Sequence, residues 1–80
     1  MSRHLAIVER QVEGADAAEY LSSLVHRREA AAGANAHFWI FAHASQANRY
    51  VEFVEGADAA MVAQLSGVEQ AALWRAIEVK

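Results

Sequence analysis

A seven-residue segment occurs twice in this 80-residue chain, and the repeat constrains the fold more than any other feature of the sequence. Residues 12–18 read VEGADAA, and the same letters return at residues 54–60, which is 42 positions later (54 minus 12). Each copy follows a strand-like segment rich in β-branched residues and precedes an alanine-rich, helix-like segment. The repeat therefore predicts two strand-to-helix junctions and a chain built from two similar halves.

The residues of the repeat fit the chemistry of a helix start. Gly14 and Gly56 permit a sharp change of backbone direction. Asp16 and Asp58 are residue types that accept hydrogen bonds from the free amides of a first helical turn, and Asp16 with Glu19 has the spacing of a capping box. We expect the two copies to start helices rather than to bind a ligand.

Hydrophobic periodicity predicts the element order β-α-β-β-α-β. Strands are expected over residues 5–12, 37–43, 49–55 and 74–79, and helices over residues 16–32 and 58–66, with a further helical turn at 68–72. The stripe of the first helix that we expect to face the sheet includes Leu21, Leu24, Val25 and Arg28, with Arg27 on the opposite side. Because burying a charge is costly, the guanidinium of Arg28 must extend to water, form a salt bridge across a chain interface, or bind a carboxylate.

With right-handed crossovers, this order predicts one α+β domain over residues 1–80. It is a four-stranded antiparallel sheet of strand order 4-1-3-2, with both helices on one face. The other face remains uncovered, and an exposed apolar sheet surface usually marks an interaction site. We therefore expect a homodimer through the sheet face.

Composition supports a partner subunit. The hydrophobic fraction of 55% is 44 residues, but 19 of these are alanine, so 44 minus 19 leaves 25 larger side chains for the core. A domain this small often needs a disulfide, a metal or a partner, and the chain has no cysteine. Self-association is the favoured support.

Charge and hydropathy exclude two classes of partner. Seven basic against ten acidic residues give a net charge of -3, which provides no positive field for a nucleic-acid backbone. The sequence contains no apolar run of the length, about 18 residues, that a membrane span needs, and it begins in a strand-like segment rather than a signal-peptide core. We expect a cytoplasmic protein with no nucleic-acid or membrane partner.

The second predicted strand carries the best candidate site, because alternate residues of a strand project to one side. His37, Trp39, Phe41 and His43 share that side, and a hairpin with Phe41 opposite Glu52 adds Tyr50 and Glu52 to it. We predict catalytic roles for His37, His43 and Tyr50. The predicted ligand-binding residues are Trp39, Phe41, Glu52, Trp74 and Arg28.

These residue types fit proton transfer beside a flat organic molecule. A histidine near neutral pKa can remove a proton from a phenolic or enolic substrate, so that oxygen reacts with the resulting carbanion and no cofactor is needed. His37 and His43 lie six residues apart, roughly 20 Å along a strand, so they are two separate candidates. The alternative is that the aromatic residues serve dimer packing and the histidines are incidental.

No metal site is expected. His26 and Glu29 lie three residues apart on the first helix, but the sequence shows no third ligand. The chain also lacks a phosphate-binding glycine loop and a nucleophile-elbow motif.

The chain resembles the dimeric α+β barrel superfamily, a ferredoxin-like group that includes antibiotic-biosynthesis monooxygenases. The likeness covers nearly all residues in element order, and locally it lies in residues 12–14 before a helix and in residues 37–41 paired with residues 50–53. It implies two sheets packed face to face around a pocket for polyketide, quinone or haem-type ligands. Haem-degrading members use an asparagine near the first strand, whereas the asparagines here are Asn35 and Asn48.

Two functions follow from the resemblance and the residues together. One is a cofactor-independent, monooxygenase-like enzyme acting on an aromatic or polyketide-type compound. The other is a non-catalytic ligand-binding or interaction module whose aromatic sheet face serves dimerisation.

Overall fold

The computed structural model describes residues 3–68 and 72–79 and has the predicted α+β order of four strands and two helices. The strands are β1 (His4–Gln11), β2 (His37–Ala42), β3 (Arg49–Gly56) and β4 (Leu73–Arg75). The helices are α1 (Ala17–Gly33), preceded by a 3-10 turn at Gly14–Asp16, and α2 (Ala59–Ser66). Most of the helical turn expected at residues 68–72 lies outside the described residues.

The strands form one antiparallel sheet in the order β2-β3-β1-β4, which reads 4-1-3-2 from the other edge. β1 and β3 pair along their whole lengths at the centre of the sheet, whereas β4 pairs with β1 over three residues. The last strand is therefore shorter than the predicted residues 74–79. This architecture is compatible with a ferredoxin-like fold.

The two copies of the repeat start their helices differently. In the second copy Asp58 has an extended backbone, and its Oδ1 accepts hydrogen bonds from the amides of Ala60 (3.0 Å) and Met61 (3.3 Å). In the first copy Asp16 lies in the 3-10 turn with a helical backbone, and its side chain caps nothing. The predicted cap is confirmed at Asp58 and wrong at Asp16, because a capping residue needs non-helical backbone angles.

Helix α1 is rotated relative to the predicted stripe. Tyr20 and Arg27 contact the sheet through Glu52, and Ala31 is buried. Leu21 and Val25, which were predicted to face the sheet, are 48% and 45% exposed. The prediction that Arg27 lies on the solvent side is therefore wrong, since its guanidinium finds a buried carboxylate.

The hydrophobic core is small. Among the described residues, the buried apolar side chains are three alanines and two valines: Ala6, Ala31, Ala36, Val54 and Val62. Phe38 and Leu65 pack against this core from partly buried positions. Both helices cover the same face of the sheet, since α2 packs on Ala6 and Val54 while α1 reaches Glu52 beside them. The thin core inferred from composition is confirmed.

Candidate functional site

The register of the β2–β3 hairpin differs by one residue from the predicted one. Phe41 lies opposite Val51 and Ile40 lies opposite Glu52. A slip of one residue moves a strand's side chains to the opposite face of the sheet. Tyr50 and Glu52 therefore lie on the face covered by the helices, and the prediction that they share a side with His37, Trp39 and Phe41 is wrong.

The uncovered side of the sheet, called the open face below, carries large apolar side chains from all four strands. Pairing places its apolar residues together: Leu5, Ile7, Trp39, Phe41, Val51, Phe53 and Trp74. Trp39, Phe41 and Trp74 are 47%, 58% and 61% exposed. The rings of Phe41 and Phe53 meet edge to face at 5.7 Å. Three of the predicted ligand-binding residues thus meet on one surface.

Ion pairs bound the open face at both ends. At one end Arg3 donates to Glu55, with Nη2 2.8 Å from Oε1. At the other end Arg49 lies 3.8 Å from Glu9. Apolar side chains therefore occupy the centre of the open face and charged groups its rim, which is the general anatomy of a protein interface.

His37 lies at the Arg3 end of the open face. Its ring stacks on Trp39 with a centroid distance of 5.4 Å and an interplanar angle of 11°. His37 also lines a groove of about 790 Å³ at this end of the sheet, called the end groove below. The remaining lining residues come from the ends of both helices and their neighbouring strands: Arg3, Ala32, Ala34, Asn35, Ala36, Gly56, Ala57, Asp58, Met61 and Val62.

His43 lies just beyond β2, at the hairpin. Its Nδ1 accepts hydrogen bonds from the backbone amides of Ser45 (3.1 Å) and Gln46 (3.0 Å), so this nitrogen helps to hold the connection. His43 and Tyr50 line one cavity of about 220 Å³ together with Glu9 and Arg49. His37 and His43 stand at opposite ends of β2 and belong to different cavities, so the structure does not join the three predicted catalytic residues in one site.

Glu52 is the centre of a charged cluster that the sequence analysis missed. Its side chain is fully buried and accepts hydrogen bonds from Tyr20 Oη (2.6 Å), Arg27 Nη2 (2.8 Å) and Arg10 Nε (3.2 Å). We call these four residues the Glu52 cluster. The available signal was the spacing of Tyr20 and Arg27, which lie seven residues apart on one side of a helix.

Electrostatics keep the Glu52 carboxylate ionised. Burial acts to raise the pKa of Glu52, but hydrogen bonds from Arg27 and Tyr20 and the charges of Arg27 and Arg10 outweigh it, so the pKa is lowered. The pKa of Tyr20 is raised, mainly by burial and secondly by its hydrogen bond to Glu52. The cluster is therefore an ionised carboxylate beside a neutral phenol over the ordinary pH range.

The Glu52 cluster also donates hydrogen bonds to the C-terminal end of α2. Arg27 Nη2 and Arg10 Nη2 lie 3.2 Å and 3.4 Å from the carbonyl oxygen of Ser66. Cations at a helix C-terminus satisfy its free carbonyls and oppose the negative end of its dipole. The cluster ties β1, α1, β3 and α2 together, which gives Glu52 a structural role in the fold.

Tyr50 and Arg28 lie away from the open face. Tyr50 packs against Tyr20 on the helix side, with ring centroids 4.9 Å apart. Arg28 is exposed and lines a groove of about 360 Å³ between α1 and β2, with Leu21, Val25 and Phe38 among its neighbours. The structure therefore does not bring Arg28 to the aromatic residues with which it was predicted to bind a ligand.

Within residues 3–68 and 72–79, no three His, Cys, Asp or Glu side chains form a group that could hold a metal ion. Over the same residues, every helix falls short of the length and apolar character that crossing a membrane requires.

Comparison of the chain with protein-family models, with curated proteins and with solved structures finds no match in any of the three.

Proposed function

We propose that this protein is a homodimerising module in which two open faces pack together as a ferredoxin-like, dimeric α+β barrel. The observation that carries the proposal is the group of large apolar side chains on the open face, with Trp39, Phe41 and Trp74 about half exposed or more. Aromatic residues supply much of the binding energy of protein interfaces. Contiguous apolar surfaces of this kind are uncommon on monomers.

The charged rim supports a second copy of the chain as the partner. Each end of the open face carries one acidic and one basic side chain, Glu55 with Arg3 and Glu9 with Arg49. In a two-fold dimer the same patch meets itself, so like charges need a nearby opposite charge on the other copy. Mixed charge at both ends meets this requirement.

The small core supports the proposal on energetic grounds. In the part of the chain that the structure describes, the buried apolar side chains are alanines and valines, whereas the largest aromatic side chains lie on the open face. Burial stabilises by about 25 cal/mol per Å² of apolar surface. Covering the large side chains of the open face therefore adds more stability than closer packing of the alanines and valines under the helices could. Small domains commonly gain their stability by association.

Sedimentation equilibrium of two matched variants tests the proposal. Trp39 and Leu21 are 47% and 48% exposed, but Trp39 lies on the open face and Leu21 on the helix side. Trp39→Ala is expected to raise the dimer dissociation constant about 30-fold, the effect of a 2 kcal/mol hot spot, whereas Leu21→Ala is expected to change it by less than about threefold. Equal effects, or a wild-type protein that is monomeric throughout, would overturn the proposal.

A second candidate function is a cofactor-independent, monooxygenase-like enzyme acting on an aromatic or polyketide-type compound. One observation favours it: His43 and Tyr50 line the same cavity at the hairpin. Oxygen uptake would be measured with phenolic and enolic aromatic compounds, for the wild type and for Tyr50→Phe, which retains the ring. Uptake that depends on the protein and falls with the variant would support catalysis, and uptake equal to that of buffer would exclude these substrates.

A further inference from the structure

We propose that the end groove of each chain receives residues 76–79 of the partner, so that the groove is completed only in the dimer. This inference rests on the proposed function and goes beyond it, because it assigns an occupant to a cavity outside the open face. Two observations carry it, the exposed apolar residues that follow β4 and the position of the end groove, and they are combined with the two-fold symmetry of the proposed dimer.

The segment after β4 exposes apolar side chains. The amide of Ala76 donates to the carbonyl oxygen of Arg3 at 2.8 Å, which continues the attachment of β4 to β1 by one residue. Beyond this bond Ile77 and Val79 are 73% and 86% exposed. Of the described residues after Ala76, which are residues 77–79, none lines the chain's own end groove. These side chains are therefore unpartnered within one chain.

The end groove is mainly apolar and lies where β2 begins. Alanines, Gly56, Met61 and Val62 form most of its lining. His37, the first residue of β2, and Arg3 also line it. Ile77 and Val79 are small enough for a groove of about 790 Å³ and match its apolar character.

Two-fold symmetry allows two aligned ways to pack one open face on another. If the axis runs across the strands, β2 faces the partner's β2 in the reverse direction, and Trp39 opposes the partner's Phe41. The smaller aliphatic side chains of β1, Leu5 and Ile7, then lie against the partner's β1, so the layer between the sheets is thick at one place and thin beside it. If the axis runs parallel to the strands, β4 faces the partner's β2. Since Trp74 is the one residue of β4 on the open face, the layer between the sheets is then evenly filled. Native packing density favours the parallel axis.

A parallel axis brings the partner's segment to the end groove. It preserves strand direction, and β4 ends where Arg75 pairs with His4, at the same end of the sheet as His37. Packed sheets lie about 10 Å apart, and four residues span about 13 Å, so residues 76–79 can cross this distance. Alternation along an extended segment would direct Ile77 and Val79 into the groove and Glu78 toward water.

Cysteine cross-linking tests this arrangement, because the chain contains no cysteine of its own. The test protein carries Ala34→Cys, at the end groove, and Val79→Cys. The matched control carries Val79→Cys with Ala44→Cys, which lies at the opposite, hairpin end of the sheet. A disulfide forms only when the two Cα atoms approach within about 7 Å. Mild oxidation is expected to give a covalent dimer of the test protein and not of the control.

The outcomes separate this inference from the proposed function. A protein that sediments as a dimer without forming the cross-link overturns the inference and leaves the dimer intact. A cross-link within single chains, or equal cross-linking of the control, also overturns it. A chain that is monomeric at every protein concentration would contradict both proposals.

A truncation that ends the chain after Ala76 provides a second measurement that needs no cysteine. Loss of the partner's Ile77 and Val79 is expected to raise the dimer dissociation constant at least about tenfold, which corresponds to 1.4 kcal/mol. An unchanged constant would contradict the inference even if the cysteine variants failed to fold.

Discussion

Arg27 donates a hydrogen bond to the fully buried carboxylate of Glu52 at 2.8 Å, and this pair decides how α1 lies on the sheet. To reach Glu52, the helix turns Tyr20 and Arg27 inward and leaves Leu21 and Val25 partly in water. A buried carboxylate with several donors costs desolvation, but it fixes a unique arrangement of the elements that surround it. The helix side of the sheet therefore depends on polar contacts, and the largest aromatic side chains remain on the open face.

Glu52→Gln is expected to destabilise the fold by about 3 kcal/mol, because it leaves Arg10 and Arg27 without their buried counter-charge. Urea unfolding at a fixed protein concentration measures the change. Glu9→Gln is the matched control, since the Glu9 side chain is 71% exposed and its contact with Arg49 is long, at 3.8 Å. The control is expected to change stability by less than about 0.5 kcal/mol, and equal losses in both variants would contradict the assigned role of the cluster.

Stability is expected to fall in acid through Glu52. The lowered pKa of this carboxyl means that the folded state binds its proton less readily than the unfolded chain, whose value is near 4.5. The contribution is therefore present above about pH 4.5 and lost as the pH falls through the lower folded value. The pKa of Glu55 is also lowered, through its hydrogen bond with Arg3. The informative quantity is therefore the free energy of unfolding of the wild type minus that of Glu52→Gln. A difference that does not shrink in acid would refute the linkage.

Through Tyr20, stability is expected to fall in alkali rather than in acid. Its raised pKa means that stability from the phenol is complete below the unfolded value near 10 and is lost as the pH rises through the folded value. The absorbance of tyrosinate in the folded protein should therefore develop at higher pH than in the urea-unfolded protein. Tyr20→Phe should abolish this delay, and an unaltered titration in the variant would exclude Tyr20 as its source.

The repeat offers a paired test of helix capping. Asp58→Ala removes the side chain that accepts from Ala60 and Met61 and is expected to cost about 1 kcal/mol. Asp16→Ala alters the equivalent letter of the first copy, where no cap bond exists, and should cost less than about 0.5 kcal/mol. Thermal unfolding of the two variants compares them directly. A larger loss at Asp16 would show that the copies have been assigned the wrong roles.

Local chemistry was predictable where one residue decides the structure. Gly67, with φ of 70°, and Asn35, with φ of 58°, end the two helices in the left-handed conformation that these residue types tolerate. Asp58 caps α2 as its position indicated. These features depend on few neighbours, so the sequence alone was sufficient.

The hairpin register was not predictable, for a specific reason. Both sides of β2 carry large apolar residues, such as Phe38 and Trp39, so the hydrophobic pattern tolerates a slip of one residue. The choice lies in the connection, where Asn48 has φ of 60° and His43 holds two backbone amides. The Glu52 cluster was missed because its members come from three elements, and helical spacing links Tyr20 with Arg27 but neither of them with Glu52 or Arg10.

Tryptophan quenching tests the central claim most directly, because both tryptophans of the chain, Trp39 and Trp74, lie on the open face. Acrylamide quenching and the emission maximum would be recorded while the protein is diluted through the dimer dissociation range. The account predicts shielded, blue-shifted tryptophans at high concentration that become accessible on dilution. Tryptophans that remain fully accessible at the highest concentration would show that no second chain covers this face.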